Sequence, residues 1–167
     1  MRLPIRKAGK YTYLQKDPVI TREKFEELKN KLDFLVRVKR PQEAEEVKRL
    51  AMMGDFSENA GYQLAKGRLR GINQRVLEIE DLLKKAQIIS PGNQKEIIEI
   101  GHKVKVLINS QDEKIYQILG SEETNPGLGV ISYTSPLGAA LIGKKKDELV
   151  EVIINGKNKQ YLIKEIF

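Results

Sequence analysis

Residues 62–86 read YQLAKGRLRGINQRVLEIEDLLKKA, and their apolar side chains recur in steps of seven. Two interleaved series make up the pattern: Tyr62, Leu69, Val76 and Leu83, and Ala65, Ile72, Ile79 and Ala86. Such a repeat is the a/d seam of a coiled coil. The segment is therefore predicted to be a long helix that buries one stripe of side chains against a partner helix.

The partner helix is expected directly upstream. Four apolar side chains there recur at spacings of three and four and so share one helix face: Phe25, Leu28, Leu32 and Leu35. Thr21, which comes shortly after Pro18, is a suitable N-cap for this helix. Two helices with one apolar stripe each, joined by few residues, bury those stripes most simply as an antiparallel hairpin.

The second half of the first helix contains an irregularity. Beyond Pro41 the apolar stripe resumes in a shifted phase, at Ala44, Val47 and Ala51. We therefore predict a bend or slip near Arg40 and Pro41, and no stop. The helix is expected to end near Met53, with Gly54 as the break.

From Lys95 onward the pattern changes to short alternating runs, which are typical of strands. The predicted strands are Lys103–Val106, Lys114–Ile118, Val150–Ile153 and Gln160–Ile163. Asn155-Gly156 favours a tight hairpin turn between the last two, because both residues tolerate positive φ. Pro136 to Ile142 is predicted to be one short helix within this part of the chain.

These patterns predict an α+β protein in three parts. Residues 1–18 form a flexible N-terminal arm. Residues 19–90 form an antiparallel coiled-coil hairpin, which has its tip at 54–59 and closes at Ser90–Asn93. Residues 95–167 form a small, mostly antiparallel β-rich domain.

Composition excludes several classes of function. The 167 residues contain 30 Lys and Arg against 23 Asp and Glu, a net charge of +7, which favours a polyanionic partner such as nucleic acid. With no Cys and a single His, His102, disulfide frameworks, thiolate chemistry and Ser-His-Asp triads are not expected. His102 is predicted to be structural. No apolar run approaches the roughly 18 residues of a membrane span, so we expect a cytoplasmic protein without a membrane partner.

The predicted tip carries two carboxylates, Asp55 and Glu58, and two interpretations are open. Asp55 as N-cap and Glu58 three residues later match a capping box. Carboxylates one helical turn apart could instead supply hard oxygen ligands to Mg²⁺. Two carboxylates are too few for a complete magnesium site, so the other ligands would have to come from a partner or from phosphate.

Two motifs resemble the GreA/GreB family of transcript cleavage factors. Residues 54–62, GDFSENAGY, are similar to the family's G-D-hydrophobe-x-E-N-A-x-Y signature, and residues 135–144, SPLGAALIGK, resemble its S-P-hydrophobe-x-x-A-L-I-G-K segment. Thr21–Glu23, Leu32–Leu35 and Arg40-Pro41 resemble the opening helix of the family. The resemblance extends from about Val19 to Phe167.

The resemblance implies a fold and a function. The coiled coil would enter the secondary channel of bacterial RNA polymerase, and an FKBP-like C-terminal domain would dock on the channel rim. The protein would then be an accessory factor, without hydrolytic activity of its own, that stimulates cleavage of backtracked nascent RNA. Its partners would be bacterial RNA polymerase and the RNA 3′ segment, and the protein itself would be a monomer.

Roles for the tip residues are implied by the same resemblance. Asp55 and Glu58 would help to hold a catalytic Mg²⁺ shared with RNA polymerase, with no metal stably bound in isolation and no cofactor of the protein's own. Phe56, Ser57 and Asn59 would support the tip. Gly61 departs from the family, which often has an acidic residue there, and it weakens the local helix propensity.

Two further candidate surfaces lie away from the tip. Seven basic residues of the hairpin are candidates to face RNA or polymerase: Arg37, Arg40, Lys48, Arg49, Lys66, Arg68 and Arg70. They could equally be the ordinary solvated face of a coiled coil. Ser135 and Pro136 are the candidate polymerase-docking loop. Alternative functions are an inhibitory paralogue that blocks the same channel and, with less support from the sequence, a chaperone or prolyl isomerase module.

Overall fold

The computed structural model describes residues 17–53, 60–89, 95–154 and 156–167. Several predicted features therefore lie outside the described residues: positions 1–16 of the arm predicted at 1–18, the tip at 54–59, the closing turn Ser90–Asn93 and Asn155 of the hairpin turn. The first part of the chain contains, in order, β1 (Val19–Thr21), α1 (Arg22–Phe34), a π-helical segment (Leu35–Lys39), α2 (Arg40–Ala51), α3 (Ala60–Lys85) and β2 (Gln87–Ile89).

Thr21 caps α1 as predicted. Its backbone is extended, with φ −73° and ψ 161°, and its Oγ1 accepts a hydrogen bond from the backbone N–H of Lys24 at 3.1 Å. The cap satisfies one of the donors that every helix leaves open at its start. Helix α1 therefore begins directly after strand β1, without a loop between them.

The predicted slip is confirmed and takes the form of the π segment. Helical backbone runs without a stop from Arg22 to Ala51, and the π segment ends directly before Arg40. A π-helical turn inserts extra residues into the α-helical repeat and so rotates everything that follows. Pro41 is the second residue of α2, directly after the π segment. Because proline has no N–H to donate, one intrahelical hydrogen bond is missing here, which is a common cause of a local irregularity in a continuous helix.

The a/d seam of α3 is confirmed at all eight predicted positions, although the last, Ala86, lies just beyond the helix end. Ala65, Val76 and Ile79 are buried, and the other members are half-buried. Leu82 lies outside the predicted series but is only 4% exposed, because it packs in a cluster with Ile20 of β1. The added strand therefore widens the seam at this end of the hairpin.

One member of the stripe predicted for α2 is wrong. Ala44 is exposed, whereas Val47 and Ala51 are half-buried as expected. The inward positions also include Glu43 and Leu50. The π segment rotates α2 so that Glu43, and not Ala44, faces α3.

The hairpin is antiparallel and has its apolar cluster at the base. Glu43 of α2 contacts Arg68 of α3, whereas Leu28 of α1 packs with Ile79 and Leu82 near the other end of α3. At this base β1 and β2 pair in parallel, with Ile20 opposite Ile88. The two arms of the hairpin are therefore joined at the base by a strand pair as well as by side chains.

The second part of the chain is a five-stranded sheet with one helix against it. Its elements are β3 (Lys103–Ile108), β4 (Asp112–Leu119), β5 (Val130–Ser132), α4 (Pro136–Leu141), β6 (Leu149–Ile154) and β7 (Lys157–Ile166). The strand order is β5-β4-β3-β7-β6, with every neighbouring pair antiparallel except β4 and β5. The four predicted strands and the short helix are confirmed, and β5 was not predicted.

The core of this sheet lies on the face that α4 covers. In β6, Val150 and Val152 point into it and alternate with exposed Leu149, Glu151 and Ile153, which is the expected pattern for a half-buried strand. Gly156 follows β6 with φ +74°, a conformation that glycine adopts without strain, and Ile154 pairs with Lys157. The α+β class, a helical hairpin followed by a β-rich domain, is confirmed.

Candidate functional site

The predicted acidic tip lies between the described ends of α2 and α3. Asp55, Phe56, Ser57, Glu58 and Asn59 all fall outside the described residues, and their roles stay predictions. Helix α2 ends at Ala51 and α3 begins at Ala60. The tip segment is therefore attached to the end of the hairpin opposite the β1–β2 pair.

Three exposed apolar side chains flank the tip, and none of them is among the predicted functional residues. Met52 and Met53 follow α2 and are 75% and 68% exposed, and Leu64 in the second turn of α3 is 66% exposed. None of the three belongs to a predicted stripe, and that is the signal by which they could have been found. A partner that surrounds the tip would meet apolar as well as charged side chains.

Within the described part of the hairpin, three of the seven predicted basic residues form ion pairs. Arg37 pairs with Asp33 one turn earlier in the same arm. Arg49 pairs with Glu46 at 2.8 Å, through two parallel N–H to carboxylate bonds. Arg68 pairs with Glu43, which lies on the opposite helix.

The pair between Arg68 and Glu43 belongs to a small charge network across the hairpin. Arg68 Nε lies 2.9 Å from Glu43 Oε2, and the Arg68 side chain is 52% exposed. The Arg49 guanidinium holds the pKa of Glu46 below its usual value, and the charge of Arg68 contributes to the same shift. Exposed salt bridges contribute little to stability. The pair between Arg68 and Glu43 is the member of the network that joins the two helices.

The other four basic residues are exposed: Arg40, Lys48, Lys66 and Arg70. Within the described ranges none of them forms an ion pair with an acidic side chain. Lys66 Nζ lies 5.7 Å from the centre of the Tyr62 ring, a cation–π contact that leaves the charge in place. These four side chains therefore keep a positive charge that a polyanion could neutralise.

Lys66 and Arg70 also line an open groove on α3. The groove has a volume of about 420 Å³, and its other lining residues are Gln63, Gly67, Leu69 and Asn73. Gly67 has no side chain to fill the groove, and apart from adjacent residues and the backbone of α3 no atom lies within 4 Å of the position that a Cβ would occupy. Two cations one helical turn apart beside amide donors are suited to a phosphate chain with exposed bases.

Ser135 and Pro136 form a rigid turn at the start of α4. Ser135 Oγ donates to the Ser132 carbonyl at 2.6 Å and accepts from the Gly138 N–H at 3.1 Å, so it is the N-cap of the helix. A Cβ on Gly138 would lie 2.0 Å from the Ser132 carbonyl oxygen, which explains the glycine. Pro136 is exposed and available to a partner.

His102 is structural, as predicted. It is 1% exposed, and its Nδ1 accepts a hydrogen bond from the Glu99 N–H at 3.2 Å. Elsewhere in the described part of the chain, no group of three or more His, Asp or Glu side chains is arranged to hold a metal ion. No described helix is long and apolar enough to cross a membrane.

Comparison with known proteins identifies the family. The model of the transcription elongation factor N-terminal domain matches residues 18–88, and the model of the GreA/GreB C-terminal domain matches residues 93–167. A transcription elongation factor GreA of Acetivibrio thermocellus is 40% identical over 141 residues, which covers 83% of this chain and 89% of that protein. GreA of Mesoplasma florum is 38% identical over 141 residues, 83% of this chain and 90% of its own.

A solved structure of GreA factor homolog 1 from Thermus thermophilus is also similar, with a TM-score of 0.41 and 23% identity over 89% of this chain and 97% of its own. The two family models together account for nearly all residues from 18 to the end of the chain. The chain belongs to the GreA/GreB family of transcription elongation factors.

Proposed function

We propose that this elongation factor acts in the cytoplasm by binding bacterial RNA polymerase, placing its hairpin in the secondary channel and stimulating cleavage of backtracked nascent RNA. The observation that carries the proposal is the family match, which spans both the hairpin and the β-rich domain. In this mechanism the polymerase performs the hydrolysis, and the factor contributes side chains to the site.

The dimensions of the hairpin support a role at a distance from the docking surface. The continuous arm from Arg22 to Ala51 is about 45 Å long at a rise of about 1.5 Å per residue. The tip segment is attached to one end of this arm and the β-rich domain to the other. A domain held on the outside of a large partner could therefore reach an interior site with Asp55 and Glu58.

The chemistry of the tip carboxylates is suited to that site. Asp and Glu oxygens are hard ligands of the kind that Mg²⁺ takes, and two of them complete a coordination sphere that a partner has begun. When bound, Mg²⁺ would supply charge stabilisation at the phosphate. Asp55 and Glu58 would orient its remaining ligands, while Phe56, Ser57 and Asn59 hold the turn.

Four cations without an acidic partner among the described residues support contact with the extruded RNA. Lys66 and Arg70 line one groove, and Arg40 and Lys48 add charge on the opposite helix. Lysine and arginine contacts to phosphate give affinity without reading sequence. This is the behaviour that a factor acting on any backtracked transcript needs.

The proposal is tested by measuring the rate of RNA cleavage in backtracked complexes that are assembled from purified bacterial RNA polymerase. Asp55→Asn and Glu58→Gln should each lower the stimulated cleavage rate by at least about tenfold, since an interaction made only at the reacting centre affects that step alone. Binding, measured by competition with the wild-type protein, should stay within a few-fold. Glu45→Gln, an exposed carboxylate in the same hairpin, is the matched control and should behave like the wild type.

The outcomes separate the alternatives. Partial rescue of the tip variants by excess Mg²⁺ would support ligation. Normal cleavage by both tip variants would leave the capping box as the only role of the pair. Wild-type protein that binds the polymerase but slows elongation without cleavage would identify the inhibitory alternative, and absence of binding would contradict the proposal as a whole.

A further inference from the structure

A small set of polar contacts joins the base of the hairpin to the β-rich domain. The side chain of Asp17, two residues before β1, accepts from two groups of the β-rich domain: the Ser121 N–H at 3.0 Å and the Tyr133 hydroxyl at 3.1 Å. It also accepts from the Val19 N–H at 3.0 Å. One carboxylate thus ties strand β1 to two separate loops.

A second carboxylate makes the reciprocal contact from the other side. Glu123 of the β-rich domain accepts from both donors of Thr21, the N–H at 2.7 Å and the hydroxyl at 2.6 Å. Thr21 is the N-cap of α1, so Glu123 is fixed at the positive end of the helix that forms the first arm of the hairpin. Rotation of α1 against the β-rich domain would break both bonds.

Gly120 allows the two parts to approach this closely. A Cβ at this position would lie 1.8 Å from the Val19 carbonyl oxygen, a distance that no backbone atom can accommodate. Its φ is −69°, so glycine is not required here by backbone conformation. The requirement comes from the contact between the two parts of the chain.

The two parts of the chain have separate apolar cores. The cluster of the hairpin and the cluster of the sheet share no residue. Beside the contact lies a cleft of about 390 Å³. Its hairpin side is lined by Thr21, Arg22, Glu23 and Ile89, and its sheet side by Gly101, Gln117 and Leu119. Among the described residues, the side-chain hydrogen bonds that cross this junction are those of Asp17 and Glu123, and they are directional, whereas apolar contact is not.

The same contacts lie next to the predicted docking loop. Ser121, which holds Asp17, shares a cluster of hydroxyl groups with Ser132 and Thr134, at Oγ to Oγ distances of 3.0 Å to Ser132 and 3.3 Å to Thr134 Oγ1. Ser132 in turn accepts from Ser135. The hairpin base is thus bonded to the loop from which docking is proposed to occur.

We propose that Asp17, Gly120 and Glu123 form a latch that fixes the direction of the hairpin relative to the β-rich domain and so positions the tip relative to the docking loop. These are positioning residues, which act through the geometry of the hairpin. The effect on RNA cleavage rests on the proposed function, whereas the effect on hairpin direction does not.

Distance measurements between spin labels test the first effect. The natural chain contains no Cys, so two introduced cysteines, Glu45→Cys on α2 and Ile153→Cys on β6, carry the only labels. Gly120→Ala and the double variant Asp17→Ala/Glu123→Ala should broaden the distance distribution at least about twofold. Gly127→Ala is the matched control, because its Cβ would meet only the Asn125 side chain, at 3.4 Å.

Folding is checked in parallel by a label pair within the hairpin, Glu45→Cys with Lys84→Cys, which should be unchanged in every variant. Should Gly120→Ala fail to fold, the carboxylate variants carry the test alone. Restoration of the narrow distribution in Glu123→Gln, relative to Glu123→Ala, would support the hydrogen bonds to Thr21 as the cause. A wild-type distribution in folded latch variants would overturn the latch.

Cleavage at saturating factor tests the second effect. The latch variants should cleave at least about tenfold more slowly at saturation, because misplacement of a reacting group by about 1 Å can cost 10²-fold in rate. The affinity of these variants for the polymerase should change by a smaller factor than their cleavage rate. A broadened distribution with wild-type cleavage would overturn the positioning role, whereas absence of cleavage with the wild-type protein would contradict the proposed function instead.

Discussion

At the scale of single residues, neighbouring cations of α3 have different electrostatic surroundings. Arg68 is paired with Glu43 across the hairpin, whereas Lys66 and Arg70 line the groove and have no acidic partner within the described part of the chain. A cation that already has a partner must lose it before it binds phosphate. Lys66 and Arg70 are therefore expected to contact RNA, and Arg68 to hold the hairpin register.

Charge reversal at Lys66 and Arg70 should selectively slow cleavage in complexes with a long extruded RNA. Each phosphate neutralised contributes roughly 0.7 to the slope of log affinity against log salt for a single strand, so the double variant should lower that slope by about 1.4. Arg68→Gln should leave the slope unchanged and cost less than about 1 kcal/mol of stability. Cleavage rates for short and long backtracks at two salt concentrations measure both effects.

Lys84→Glu, on an exposed position at the opposite end of α3, is the control for the change in net charge. It should slow neither class of complex. Equal slowing of short and long backtracks by the Lys66 and Arg70 variant would contradict RNA contact and indicate a polymerase contact or a general effect on docking.

At the scale of elements, α3 contains two glycines that its packing does not require. Apart from the adjacent residues and the backbone of α3 itself, no atom lies within 4 Å of the position of a Cβ at Gly67 or Gly71. Interior helical glycine costs about 1 kcal/mol relative to alanine. Gly138 in α4 is the opposite case, because a Cβ there would lie 2.0 Å from a backbone oxygen. Replacement of glycine by alanine should therefore stabilise the protein in α3 and destabilise it in α4.

Gly71→Ala should raise the free energy of unfolding by about 0.5–1 kcal/mol, and Gly138→Ala should lower it by about 1–3 kcal/mol through overpacking. Urea denaturation monitored by circular dichroism measures both changes. If Gly138→Ala proved neutral, the close approach of α4 to the Ser132 backbone would be contradicted. A destabilising Gly71→Ala would indicate that α3 has a neighbour at that point.

The outcome for these elements shows what periodicity can predict. The eight predicted seam positions at 62–86 are all at least half-buried, because side chains seven residues apart lie on the same face along the whole length of a regular helix. The exposure of Ala44 was not predicted, because the orientation of side chains beyond the π segment depends on how many residues that segment inserts. Strands β1, β2 and β5 have three residues each, too few to establish an alternation, and the pairing of β1 with β2 joins residues far apart in the chain.

The candidate site was predictable to a different extent. Residue types and spacing identified the cations and the Ser135-Pro136 turn as candidates. They could not predict which cations are paired, because the bond between Arg68 and Glu43 crosses the hairpin and depends on its register. The contacts of Asp17 and Glu123 have no local signature, since each joins residues about a hundred positions apart.

At the scale of the whole molecule, one buried and two half-buried tyrosines make stability depend on alkaline pH. Burial raises the pKa of Tyr116, Tyr133 and Tyr161 above the ordinary value of about 10. The hydrogen bond to the Asp17 carboxylate raises the pKa of Tyr133 further. The charge that Tyr116 carries when it is deprotonated raises the pKa of Tyr161. Their neutral forms are favoured in the folded state.

The sign of the effect follows from linkage. The unfolded chain loses these protons at a lower pH than the folded protein, so their contribution is fully present below about pH 10 and is lost as the pH rises through the folded pKa values. The free energy of unfolding should therefore fall above about pH 10. Tyr116→Phe/Tyr161→Phe should show a shallower fall in urea titrations at several pH values, and an unchanged slope would contradict the prediction.

The parallel pairing of β1 with β2 has a consequence for how the hairpin opens. The strand pair and the apolar cluster hold the base of the hairpin, whereas the charge network holds the region nearer the tip. Separation of the two arms should therefore start beside Met53 and proceed toward Ile79. Amide hydrogen exchange should then be fastest in the last turn of α2 and the first turn of α3 and slowest around Ile79 and Leu82. Uniform protection along α3 would mean that the two arms separate all at once.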